Sequence, residues 1–361
     1  MNTALLTLPA AASARNTTNN ENRKIWTSTW ILAALLLLAL IAGLTLGRYL
    51  IAPTRVLEIL FSGSGFDTRD PEAAMAARVI ESVRLPRVLL AALIGAGLAA
   101  AGAALQSLFR NPLAEPQLLG VSSGAAFGGV LAMLLVGDGQ PLVIGALVFG
   151  MLALAAVFWL AGGKAATAGS GTVLLVLAGI VVSGVFAAGV SLIKLVADPQ
   201  NQLPAIVFWL MGSLATADRD RLLLALPCVG VGLIALYGLR FQLLALSLGE
   251  EDARGLGVKV ALARALTLIA VGLITAASVA VCGIVGWVGL VAPHLIRMSF
   301  GADHRNFLLN VMLGGAAYLV LVDTFARAAT AEEIPLGVLT ALLGAPLFAF
   351  LVRRIGHGLE C

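Results

Sequence analysis

The chain has 361 residues, 60% of them hydrophobic and only 12% charged, with a mean hydropathy of +1.00. A soluble domain carries about a quarter charged residues, so this composition excludes an ordinary water-soluble globule. The net charge of +4 is what juxtamembrane Lys and Arg produce, and it does not call for a nucleic-acid partner.

Residues 1–24 are rich in Ala, Thr and Asn and read as a disordered cytoplasmic N-terminus. LTLPAAASA (6–14) looks like the end of a signal peptide, but no basic region precedes it and its apolar core is too short. Arg23 and Lys24 then flank an uncleaved first helix. A bilayer core takes roughly 20 apolar residues to cross, and ten segments qualify as an all-α, polytopic domain over 25–361. In chain order they are Trp26–Leu46, Leu85–Leu108, Gln117–Val136, Pro141–Leu160, Thr172–Leu195, Arg221–Leu239, Ala261–Cys282, Ile284–Met298, Phe307–Asp323 and Gly337–Arg354. The eighth is short and holds Pro293. Glycines recur at helical spacing, as at Gly95, Gly102, Gly120 and Gly124, which suits close helix packing in lipid.

An even number of spans that starts in the cytoplasm ends there. Arg353 and Arg354 then follow the last helix, and Arg110, Lys164, Arg240–Arg264 and Arg297–Arg305 also fall inside, as the positive-inside rule prefers. The connections are too short for a catalytic domain. No phosphate-binding loop is present, since GGKAAT around Lys164 lacks the upstream glycine and the hydroxyl residue after Lys. Cys228, Cys282 and Cys361 have neither disulfide nor metal spacing. His294 and His304 read as a polar cytoplasmic cap beside Arg297 and Asp303, and His357 lies near the C-terminus. Tyr and Met are scattered, so no residue set for holding a heme iron stands out and the reading is no metal site. Lys194 and Asp323 sit near span ends, leaving no mid-span charges for a proton relay.

Polar punctuation interrupts the apolar chain at five places. They are RLPR (84–87), FRNPLAEPQLLGVSSGA (109–125), LGEEDARGLGV (248–258), GIVGWVGLVAPHLIRMSFGADHR (283–305) and EIPLGVLTALLGAPLF (333–348). Gly102 precedes Pro112 by ten positions, and Gly283 precedes Pro293 by the same ten, a weak internal repeat of the kind transporters use. Taken together and in this order, the five stretches resemble the permease family of binding-protein-dependent (type II) ABC importers for iron chelates, heme and cobalamin. The resemblance runs from about Arg84 to the C-terminus.

That resemblance implies a bacterial inner-membrane permease with both termini cytoplasmic. It implies a homodimer, two separate ATP-binding subunits that use ATP and Mg, and a periplasmic substrate-binding protein. No cofactor and no catalytic residue is expected on this chain. Gly249, Glu250, Glu251, Asp252, Ala253, Arg254, Gly255, Leu256 and Gly257, within a loop at about 246–260, would form the coupling helix that docks the ATPase. Residue types there suit a short polar helix ended by Gly255 and Gly257. Arg84, Arg87 and Arg327 match arginines that pair with glutamates of the binding protein, a task suited to guanidiniums. Asn111 and Leu113 match a cytoplasmic gate, and Thr172 matches a second one more loosely. The cargo expected first is heme, then siderophore-iron, then cobalamin. The opposing expectation is a secondary transporter driven by a proton gradient.

Overall fold

A computed structural model describes residues 9–62, 71–162, 171–301, 306–330 and 332–358. Each of the ten expected segments coincides with a helix. They are α1 (Pro9–Thr45), α4 (Leu85–Phe109), α5 (Val121–Leu135), α6 (Gln140–Leu160), α7 (Gly171–Val196), α9 (Arg219–Gly238), α12 (Val260–Cys282), α13 (Val288–Phe300), α14 (Phe307–Ala328) and α15 (Leu336–Gly358). Between them lie the shorter α2 (Pro53–Ser62), α3 (Pro71–Arg78), α8 (Gln202–Leu210), α10 (Arg240–Leu248) and α11 (Glu250–Gly255). Among the described residues seven helices are long and apolar enough to cross a membrane; α5, α13 and the apolar part of α15 are shorter.

Two of the short helices have a visible cause. Ahead of α5 the chain makes a 3-10 turn at Pro116–Leu119, and Gly120, at φ +72°, breaks it from the helix proper. Ahead of α13, Gly283 (φ +69°) ends α12, and Ile284–Trp287 runs unwound before Trp287 (φ +68°) opens the next helix. The expected third and eighth spans therefore start four residues late. Unwound backbone at membrane depth is tolerated where it is buried in protein.

Helix α1 begins at Pro9, within the N-terminal stretch of residues 1–24. Proline suits a helix's first position, and the Ala-rich stretch after it extends the helix of the first span, so no new nucleus is needed. Residues 1–8 lie outside the described residues, as do Lys164, Asp303, His304, Arg305 and Cys361.

Helices α4 and α12 form the centre of the bundle and are buried along most of their length. Glycine pairs set the crossings. A Cβ on Gly95 of α4 would stand 2.3 Å from the Gly315 carbonyl of α14, and one on Gly102 only 1.9 Å from that of Gly289 on α13. Backbones this close leave no room for even a methyl group, which is how small residues drive packing in lipid. Phe127, Phe149 and Phe186 interlock α5, α6 and α7 with ring centroids 5.2–6.4 Å apart. At one end of the bundle, buried Asn310 of α14 bonds Thr29 (2.8 Å) and Ser28 (3.0 Å) of α1.

Candidate functional site

Three polar groupings stand out against this apolar bundle. The first gathers Arg84, Arg87 and Arg327 at one end. A π-helical turn, Val79–Arg84, leads into α4 and places Arg84 and Arg87 there, while Arg327 comes from the last turn of α14. All three side chains are buried. Arg84 donates through Nη1 to the carbonyls of Leu44 (2.7 Å) and Thr45 (3.0 Å), and through Nη2 to that of Tyr49. Arg327 donates to the Gly43 carbonyl at 2.9 Å. The carbonyls of Gly43, Leu44 and Thr45 are the last of α1 and have no helical partners of their own, whereas Tyr49 lies just beyond the helix; a cation at a helix C-terminus also opposes its dipole favourably.

Arg87 binds Asp323 through Nε (3.0 and 3.1 Å) and Nη2 (2.8 Å), and Glu333 through Nη1 (3.1 Å) and Nη2 (2.9 Å). Arg327 Nε lies 3.2 Å from Asp323 Oδ2. Three guanidiniums against two carboxylates leave a single positive charge on the cluster. Its accessible edge is Glu333, whose side chain is 27% exposed. Sequence reasoning brought the three arginines together but missed both carboxylates. A signal for one existed, since Asp323 stands four residues before Arg327 on one helix face.

The second grouping is the turn after α4. Arg110 ends the helix in the left-handed region (φ +49°), and the Asn111 N–H bonds back to the Gln106 carbonyl at 3.2 Å. Asn111 Oδ1 accepts the Leu113 N–H at 2.9 Å, and its carbonyl accepts the Ala114 N–H at 3.1 Å. Asn111, Pro112 and Leu113 are exposed, whereas Ala114 is buried beneath them. The carboxylate of Glu115 accepts the backbone N–H of Trp287 at the start of α13. Burial pushes this carboxyl above the usual glutamate range, and the Trp287 bond opposes that shift. Thr172 is the second residue of α7, and its side chain lies outside the description.

The third grouping is α11. Gly249, at φ +147°, leads into it, and Glu250, Glu251 and Asp252 occupy its first turn, where the helix dipole favours acids. Its C-terminus is a Schellman turn: the Val258 N–H reaches the Ala253 carbonyl (2.9 Å) and the Gly257 N–H the Arg254 carbonyl (3.0 Å). Gly257 (φ +80°) is the left-handed residue that closes it, and Gly255 is its last helical residue. Ala253 is buried, while Glu251, Asp252, Arg254 and Leu256 are exposed. Glu250 ties the helix down, bonding Arg254 at 3.0 Å and the buried Arg264 of α12. Arg110 reaches this helix too, with Nη1 3.9 Å from where a Cβ on Gly249 would stand. The second and third groupings thus share one end of the bundle.

Among the described residues no three of His, Cys, Asp or Glu gather as metal ligands. His294 lies half-buried on α13. What the arrangement offers is two polar ends on an apolar bundle.

Comparison with known proteins gives that arrangement a context. Residues 35–354 match the model of the FecCD transport family. The molybdate import system permease protein MolB of Haemophilus influenzae is 41% identical over 327 residues, covering 91% of this chain and 95% of the relative. The hemin transport system permease protein HmuU of Yersinia pestis is 42% identical over 285 residues, covering 76% of this chain and 82% of the relative. A solved inward-facing conformation, described as that of a metal-chelate type ABC transporter, superposes with a TM-score of 0.79 at 40% identity. It covers 90% of this chain and 98% of its own.

Proposed function

The chain belongs to the FecCD transport family, and from that premise we propose that it is the membrane-spanning half of a binding-protein-dependent importer. In this reading two copies form the translocation unit, with ten spans each and both termini in the cytoplasm. A separate ATPase binds at α11, and a periplasmic binding protein docks at the opposite end. The observation that carries the reading is the polarity of the bundle. A short charged helix held on an ion-paired base stands at the end shared with the 110–115 turn, and an arginine cluster stands at α1's C-terminal end. A permease without a nucleotide site of its own needs such a surface for the chain that hydrolyses ATP.

Docking at the arginine end is proposed with a specific form. The three guanidiniums are spent on the chain itself, so an incoming carboxylate would replace Glu333, the exposed member of the cluster, on Arg87. Asn111 and Leu113 are exposed on the turn that would face the partner copy, which supports the inner-gate role; Thr172 is carried with them on the family resemblance alone.

We take the cargo to be a metal-centred complex, with heme ahead of siderophore-iron and cobalamin. The hemin and molybdate permeases stand one percentage point apart in identity, so the oxyanion belongs in the same test. The cognate binding protein should be titrated with heme, a ferric siderophore, cobalamin and molybdate. The chain should then be reconstituted with its ATPase and the binding protein, and uptake of the bound compound followed. Uptake that needs both partners and ATP supports the reading. Gradient-driven uptake by this chain alone would overturn it.

A further inference from the structure

A cleft of about 300 Å³ opens between α4, α10, α13 and α14 at the end of the bundle that carries α11. Arg110, Arg240 and Arg297 line it, together with Phe241, Leu244 and Phe307. Among the described residues no carboxylate forms an ion pair with any of these three arginines. The described contacts of Arg240 and Arg297 are with neutral groups, while Arg110 faces Gly249 at the start of α11. Arg240 donates to the Tyr237 carbonyl at 2.8 Å and stands 4.3 and 4.4 Å over the rings of Tyr237 and Phe241. Arg297 donates to Gln106 Oε1 at 2.5 Å and lies over Phe307. Ring stacking and carbonyl or amide contacts hold the Arg240 and Arg297 guanidiniums in place and leave N–H donors of each unspent.

Arg110 adds a further sign. It occupies a left-handed position (φ +49°) that glycine fills at no steric cost. A long cation on such backbone is uncommon. Beside the cations, α10 shows an unpartnered apolar stripe: Phe241, Leu244 and Leu248, at i, i+3 and i+7, are 51%, 43% and 63% exposed. Such a stripe, with an arginine at the start of the helix, suits the headgroup plane of a bilayer with the apolar face toward lipid.

Taken together, three guanidiniums with no carboxylate partner among the described residues, beside an exposed apolar stripe, fit an amphiphile with an anionic head. We propose that this cleft binds the phosphate head group of an anionic phospholipid, with its acyl chains against Phe241, Leu244 and Leu248. Basic pockets between membrane helices recognise lipid head groups in this way. The volume suits a head group, since it stands at the lower limit of ligand pockets, about 300–1,000 Å³. An acidic loop of a soluble protein would neutralise the arginines but leave the stripe in water, so lipid is the better occupant. The site touches both the turn at 110–115 and the approach to α11, and the head group would tie the two together.

The test is native mass spectrometry of the full-length chain in neutral detergent. Phosphatidylglycerol, phosphatidylcholine, glycerol phosphate and inorganic phosphate are each titrated against it. Phosphatidylglycerol should bind at least tenfold more tightly than phosphatidylcholine, and neither soluble phosphate should displace it at millimolar concentration. Arg240→Gln with Arg297→Gln should weaken phosphatidylglycerol binding by about 25-fold, taking roughly fivefold per basic residue, while Arg219→Gln outside the cleft changes nothing. If that double variant loses its folded charge-state distribution, the exposed Arg110→Gln replaces it, with an expected loss of about fivefold. Phe241→Ser should weaken the lipid and leave glycerol phosphate unaffected. Equal binding of the two lipids would overturn the proposal, as would displacement by glycerol phosphate or by the purified ATPase.

Discussion

Gln106 of α4 donates through Nε2 to the carbonyl of Gly289 on α13, at 3.2 Å. That carbonyl needs an outside donor because of the residue four positions on. Pro293 sits inside α13, has no N–H, and so leaves the Gly289 oxygen without its helical bond. The same oxygen is the atom against which Gly102 packs, one turn earlier on α4. A glycine and a glutamine on α4, with a glycine and a proline on α13, therefore solve one problem: how to bury a broken helix in an apolar bundle.

Gln106→Leu should cost roughly 1–3 kcal/mol, the penalty for a buried acceptor left without a partner. It also removes the acceptor for Arg297. In a Pro293→Ala background the restored N–H at 293 should satisfy Gly289, so the same change should cost distinctly less. A thermal-unfolding double-mutant cycle in detergent reads the difference; additive losses would show that Gln106 does not serve the proline's vacancy.

Asp323 is the hinge of the arginine cluster, because both Arg87 and Arg327 lean on it. Its side chain is 1% exposed. Asp323→Asn leaves two buried guanidiniums short of charge, and breaking a buried pair from one side costs about 3–5 kcal/mol. Glu333→Gln, at the 27% exposed edge, should cost no more than about 1 kcal/mol. The melting temperatures of the two variants should separate clearly, and equal values would contradict the geometry.

Gly102→Ala and Gly230→Ala should act in opposite directions. A methyl group on Gly102 meets the Gly289 carbonyl at 1.9 Å, so α4 and α13 must move apart. A methyl group on Gly230, inside α9, meets nothing within 4 Å. There the gain is the helix preference of Ala over Gly, about 0.8–1.0 kcal/mol. The check is a lowered melting temperature for the first variant and a raised one for the second.

How much of this was readable beforehand follows from the physics of each feature. The helices were legible because a bilayer demands long apolar runs, and a run survives in sequence without knowledge of its neighbours. The polar stretches at 84–87, 109–125 and 248–258 stood out for the same reason. The break at Gly283 was legible between the seventh and eighth spans, but the unwound Ile284–Trp287 and the cap at Gly120 were not, because only backbone φ distinguishes a helix interior from its cap. Arg87's partners were illegible, since Asp323 and Glu333 lie 236 and 246 positions away. So was the Gln106–Gly289 bond, which spans 183. Pairs within one helix turn, such as Asp323 and Arg327, leave a trace in the pattern, whereas partners on distant helices leave none.

The assignment of α11 to the ATPase can be tested between neighbouring residues. Glu251 and Asp252 are exposed, and among the described contacts they do not anchor the helix. Glu250 does, through Arg254 and the buried Arg264. Glu250→Gln should therefore weaken the fold around Arg264, with a lowered melting temperature, because a buried guanidinium loses its counter-ion. Glu251→Lys with Asp252→Lys should change the unfolding free energy by no more than about 1 kcal/mol, since the local loss is the first-turn dipole interaction. The same pair reverses the charge presented to a docking partner, so co-purification of the ATPase should fall at least tenfold and ATP-driven uptake with it. If the doubly reversed chain keeps its ATPase and its transport, α11 is a solvated turn and the coupling surface lies elsewhere.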